Sequence, residues 1–233
     1  MSEPLIGQSL IFDDAQTLAD LATLVQRAKR IEAQGGIRLV GHGSLLVAYV
    51  AALHGVGLPT VLGMRVARLA VPSTVDVTVE LRALTDRFAR AEPGAVALPL
   101  PPAQMAGVRW AGVSPPRSGW DPVAEVSVAQ ARELAVSGIV AVAGASPVET
   151  VGMRSQIWGR DWADAGGAPA GLTFGAETLG FLPAATLPGA ALPAEETERA
   201  AHRPAPLTVH RQGSWWRLTT PRGYVLARQS LLG

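Results

Sequence analysis

The tetrad Gly41-His42-Gly43-Ser44 is the one compact stretch of this 233-residue sequence whose residue types could do chemistry. A loop histidine beside a hydroxyl could serve as base and nucleophile, and amides flanked by glycine could hold an oxyanion or a phosphate. Neither G-x-G-x-x-G nor G-x-x-x-x-G-K-[ST] is present, and no acid stands close by in sequence to orient the imidazole. A hairpin turn that needs glycine for positive φ is the plainer reading. No residue is therefore assigned a catalytic role, and His42 and Ser44 are kept as candidate ligand contacts.

The second chemical signature lies near the C-terminus, where Arg211, Trp215, Trp216, Arg217, Arg222 and Tyr224 mix guanidinium groups with aromatic rings. Such a surface can stack bases and neutralise phosphates. On a strand, however, Trp215 and Trp216 must face opposite ways, so at most one can serve the surface while the other enters the core. Charge sharpens the contrast. Up to residue 198 there are 14 bases against 19 acids, and after it come six arginines with no acid. A basic segment of this kind attracts nucleic acid, an anionic ligand or an acidic surface, including one on the same protein.

Other chemistries are excluded or disfavoured by composition. There is no cysteine, which removes disulfides, iron–sulfur clusters and thiol catalysis. His42, His54, His202 and His210 form no pair at helical spacing, so neither a metal nor a cofactor is expected. The acid pairs Asp13-Asp14 and Glu195-Glu196 are explained by a helix cap and a solvated loop. Apolar residues make up 48% and charged residues 17%, with mean hydropathy +0.23, which argues for a packed core. The longest apolar run, residues 45–53, falls well short of the ~18–20 residues that cross a bilayer. No secretory signal is visible at the N-terminus, and the cytoplasm is the expected location.

These groups must be positioned by elements that the periodicity outlines. Leu18, Leu21, Leu24, Val25, Ala28 and Ile31 recur at helical spacing after a cap at Asp13 or Asp14, and Gly35-Gly36 supplies a left-handed stop. Residues 37–40 and 45–53 read as strands around the glycine turn, 60–69 as a third strand, and 78–91 as a closing helix. A helical reading of 45–53 would instead create a phosphate-cradling loop. An echo of residues 38–46 in the clearer hairpin at 217–227 favours strand. Seven prolines between residues 92 and 122 mark a boundary or an extended strap. Helices are expected at 127–145, 147–162 and 170–182, the second placing Trp158 and Trp162 one turn apart. After a loop over 183–206, a three-stranded meander at 207–228 follows.

The segments 37–50, 110–120 and 220–228 resemble a family of two-domain bacterial proteins of the high-GC Gram-positive type, both halves being domains of unknown function. The likeness spans most of the chain. It implies a two-domain, cytosolic protein and no activity, cofactor or catalytic residue.

The resulting expectation is an α+β protein of two small domains, residues 1–105 and 106–233, each a roughly three-stranded antiparallel meander packed with helices. The apolar surplus and open sheet edges point to a non-catalytic binding or assembly protein that acts through protein–protein contacts, a homodimer being the natural form. The alternative is nucleic-acid or anionic-ligand binding through residues 199–233, and an enzyme using the Gly41-Ser44 loop is the third reading.

Overall fold

The computed structural model describes residues 7–184 and 205–229. Residues 185–204, with Glu195, Glu196, Arg199, His202 and Arg203, lie outside the described residues, and the expected 183–206 loop falls mostly there.

The first amphipathic stripe forms α1 (Ala15–Ile31), which buries Leu18, Leu21, Leu24, Val25 and Ala28. Asp14 caps it, accepting from the Thr17 amide at 2.7 Å and the Thr17 hydroxyl at 2.8 Å. The helix does not use Gly35 or Gly36 as a left-handed stop. It ends at Glu32 in extended backbone, and Gly36 already belongs to a strand. Smallness is what Gly36 supplies, since a Cβ there would lie 2.8 Å from the Met105 sulfur.

A larger correction concerns the glycine tetrad. β2 runs unbroken from Gly36 to Leu53, so Gly41-His42-Gly43-Ser44 is a bend inside one long strand and the expected hairpin is absent. β3 (Thr60–Ser73) pairs with β2 back to Gly43, and β4 (Asp76–Glu80) continues the antiparallel register along residues 36–40. The extra residues of the bulge lie on β3, where Leu45 faces Arg68 but Gly43 faces Ser73. Gly41 is required because its backbone touches the Ser73 carbonyl, where a Cβ would come within 2.5 Å. The stretch 45–53 is strand, as the echo suggested, although only the second copy of that echo is a hairpin. The expected helix from residue 78 begins instead as α2 (Leu81–Phe88), because Val77 and Val79 alternate into the core as part of β4. Three strands were expected in this half, but one expected turn was no turn and one helix start was a strand.

The second half opens with β6 (Asp121–Val126), preceded by the short strands β1 (Ser9–Ile11) and β5 (Ala97–Pro99), which pair with each other. Then come α3 (Val128–Ala143), α4 (Pro147–Gly159), the small pair β7 (Asp161–Trp162) and β8 (Ala168–Pro169), and α5 (Gly171–Thr178). Ser127 and Ser146 begin α3 and α4 with capping boxes closed by Gln130 and Glu149. β9 (Leu207–Gln212), β10 (Trp215–Thr220) and β11 (Gly223–Arg228) form the expected meander, and β6 adds a fourth strand. Pro122 suits that position, because an edge strand can spare an N–H.

The architecture is α+β. The strands of both halves merge into one seven-stranded sheet, ordered β4-β2-β3-β11-β10-β9-β6, with the halves joined by antiparallel pairing of β3 with β11. All five helices contribute to one core against one face of this sheet. α5 bridges the seam, its Gly171 and Gly175 allowing close approach to Leu53 and Val61 from one half and Val225 from the other.

Candidate functional site

The face of the sheet opposite the helices carries Trp215, Arg217 and Tyr224 of the aromatic and arginine residues singled out by sequence. Register aligns Ala51, Leu62, Leu226 and Arg217 in one row, and Tyr49, Met64, Tyr224 and Thr219 in the next. The proline-rich segment runs over this face as a strap. Its short helical turn Arg109–Gly112 buries Trp110 and Ala111 against Ala51, Leu62, Trp215 and Leu226, making a second, smaller core.

Two arginines fasten the strap. Arg38 on β2 forms a two-pronged ion pair with Asp76 on β4, both contacts at 2.8 Å, and donates onward to the Ala111 carbonyl at 2.7 Å and the Ser114 hydroxyl at 3.1 Å. That pairing holds the Asp76 carboxyl below its usual range. At the other end Arg217 sits 4.8 Å from the centre of the Trp120 ring and 5.5 Å from that of Tyr224. Arg217 makes no ion pair among the described residues, and burial depresses its pKa. His210 faces Arg217 across the ladder, and burial, followed by the Arg217 charge, lowers its pKa.

The candidate contacts are thus distributed over several places. Trp215 and Trp216 point to opposite faces as alternation requires, yet both are 6% exposed, because the strap covers Trp215 and the helical layer takes Trp216. Arg211 shares the face of Trp216 and lies 4.9 Å from its ring centre, away from Arg217. Arg217 and Tyr224 come together, with Trp120 as a third member that residue-by-residue reading of the meander missed. Arg222 is exposed in the β10–β11 turn. His42 and Ser44 are exposed on the bend of β2, and neither makes a side-chain hydrogen bond among the described residues, so no orienting acid is engaged. No group of three metal-ligating side chains occurs among the described residues. None of their helices is long and apolar enough to cross a membrane.

The fold and this surface define an α+β chain of two adjacent domains. Residues 115–232 match the domain of unknown function DUF8185, and residues 6–112 match the domain of unknown function DUF8010. The chain belongs to the DUF8185 family. No curated protein matches it. Among solved structures it is similar to the DNA polymerase III subunit beta from Pseudomonas aeruginosa, with a TM-score of 0.50 and 12% sequence identity. That likeness is one of fold. It covers 97% of this chain but 65% of the subunit, so the chain spans about two thirds of the length of the protein it resembles.

Proposed function

We propose that this chain is a non-catalytic binding or assembly protein that works through protein–protein contacts, with the elbow between α3 and α4 as its docking surface. The division into units of residues 1–105 and 106–233 belongs to the same proposal. One observation carries the reading. From Leu134 to Val148 there is no charged side chain, and Val136, Val140, Val148 and Val151 on the two helices are all exposed. Val56 adds to them from a neighbouring loop, held to α4 by a hydrogen bond from the Ser155 hydroxyl to the Gly57 carbonyl. Thus five of the nine large apolar side chains exposed among the described residues lie on α3, on α4 or in the loop bonded to α4. A helical stretch that is apolar around its circumference is ordinarily covered, and exposed apolar side chains concentrated on one helix pair fit an interaction surface. A second copy of the chain is the first partner to test, since a two-fold axis would cover both elbows at once.

Sedimentation velocity across a concentration series, on the natural sequence and on Val140→Glu with Val151→Glu, tests this directly. A dimer that the double variant dissociates is the expected result. A monomer at every concentration would remove self-association from the reading.

The nucleic-acid alternative draws less support from the arrangement. Arg211 and Arg217 lie on opposite faces of the meander, and Arg217 is held between two rings, so these arginines do not make a continuous basic track. A steep fall in oligonucleotide affinity with salt, lost on Arg211→Ala with Arg222→Ala, would restore it.

A further inference from the structure

A notch interrupts the seven-stranded sheet where its two halves meet. Along β3, pairing with β11 ends at Met64, opposite Tyr224, and the next partner on the chain is Phe12, which bridges Leu69. Between them residues 65–67 pair with β2 alone, while the Arg68 carbonyl already accepts from the Asp13 amide at 3.4 Å. An unpaired strand edge is a template for another extended segment, and native sheets usually cover or blunt it. Here it borders an open cleft of about 390 Å³, whose far walls are the N-terminal half of α1 and the β10–β11 turn.

The charges in the cleft are unevenly spent. Asp20 on α1 is held by Arg65 at 2.9 Å, and the Asp14 carboxylate is occupied by the Thr17 amide and hydroxyl. Arg68 and Arg222 are both exposed and make no ion pair among the described residues. The cleft therefore combines free main-chain groups on the open edge of residues 65–68, the Arg68 carbonyl excepted, with two arginines that make no ion pair among the described residues. Thr220 is already committed, its hydroxyl donating to the Gly223 carbonyl, which fixes the turn that carries Arg222.

We propose that this notch takes a short extended peptide bearing acidic side chains, which adds a strand to β3 at residues 65–68 and places carboxylates against Arg68 and Arg222. Strand addition gives such a site its affinity through the main chain and its selectivity through the flanking side chains. The site lies on other elements than the α3–α4 elbow and does not rest on self-association there.

The test is selection of a random nonapeptide display library on the full chain, then fluorescence anisotropy with labelled peptides from the selection. Enrichment of alternating sequences rich in Asp and Glu is expected. Their binding should weaken about tenfold or more in the Arg68→Glu, Arg222→Glu double variant, since two favourable exposed pairs become repulsive. It should be unchanged in Arg211→Glu, another exposed arginine, outside the cleft. Hydrogen exchange of residues 65–68 should slow when peptide is bound. Absence of acidic sequences, equal loss in Arg211→Glu, or unchanged exchange at 65–68 would each overturn the proposal. So would an oligothymidylate that binds with the same dependence on Arg68 and Arg222 where the peptides do not.

Discussion

The guanidinium of Arg217 lies 4.8 Å from the centre of the Trp120 ring, joining the middle strand of the C-terminal meander to the end of the proline-rich strap. No carboxylate takes part among the described residues, and the Arg217 Nε is buried without a hydrogen-bond partner there. The clasp is therefore one of stacked surfaces, in which an arginine fills the space between Trp120 and Tyr224 and its charge is partly a burden.

A charge-free replacement separates packing from charge. Arg217→Met keeps an unbranched apolar stem between the rings and relieves a partly buried cation, so it should cost less than about 1 kcal/mol. Arg217→Ala empties the space and forfeits the cation–π contact, and should cost roughly 2 kcal/mol. Urea unfolding of both variants gives the comparison; equal losses would show that the charge itself matters.

Arg38 is the tighter of the two fastenings because it closes on four acceptors. Truncating it leaves the Asp76 carboxylate and the Ala111 carbonyl without their donor, so Arg38→Ala should lose about 2–3 kcal/mol and loosen the strap. Trp110 and Trp120 report on that loosening. Their emission should move to the red and become more accessible to quenchers while the far-ultraviolet signal of the main core persists.

Acid should weaken the fold in two separate steps. His210 has a folded-state pKa below its ordinary 6.5, chiefly from burial and then from Arg217. The unfolded chain then takes up this proton first, so stability falls as pH drops below about 6.5 and levels off beneath the folded value. Asp76 has a folded-state pKa below its ordinary 3.8, chiefly from the hydrogen bonds of Arg38. Its contribution is complete above about 3.8 and is lost as pH falls through the depressed value. Melting temperature followed from neutral pH downward should show both declines, with His210→Gln flattening the first and Asp76→Asn the second.

Gly138 offers a case in which packing overrides local preference. In an exposed helix, alanine would be favoured over glycine by about 1 kcal/mol. In α3 an added Cβ would lie 2.3 Å from the Trp158 ring and 2.9 Å from Ile157, so Gly138→Ala must push α4 away. A net loss of about 1–3 kcal/mol is expected by thermal denaturation. An unchanged or raised melting temperature would show that α4 moves freely on α3.

Much of the local structure was legible because its signals act over a few residues. The cap at Asp14, the stripe of α1, the helix start at Ser127, and the turns at Gly213 and Gly223 each depend on nearby chemistry. Errors came where a partner distant in sequence decided the outcome. Gly41-His42-Gly43-Ser44 has the composition of a turn, but β3 and β4 together supply a continuous partner, and the strand bends where it would have reversed. Residues 78–80 have an acceptable helix start, yet Val77 and Val79 are drawn into the ladder with Leu39 and Ile37.

The candidate site shows the same division. Alternation alone assigned Trp215 and Trp216 to opposite faces, since successive side chains on a strand must diverge. It could not reveal that both are covered, because what covers Trp215 is a strap more than a hundred residues earlier in the chain. Short-range periodicity and residue chemistry account for most of the helices, the C-terminal meander, the amphipathic faces and the uneven placement of charge. The fusion of the two half-sheets, the meeting of Arg217 with Trp120 and the open edge of β3 near Arg68 and Arg222 arise only when distant segments come together. Those are relations between distant segments, fixed by the register of β3 with β11 and by the path of the strap, and neither is written in any local pattern.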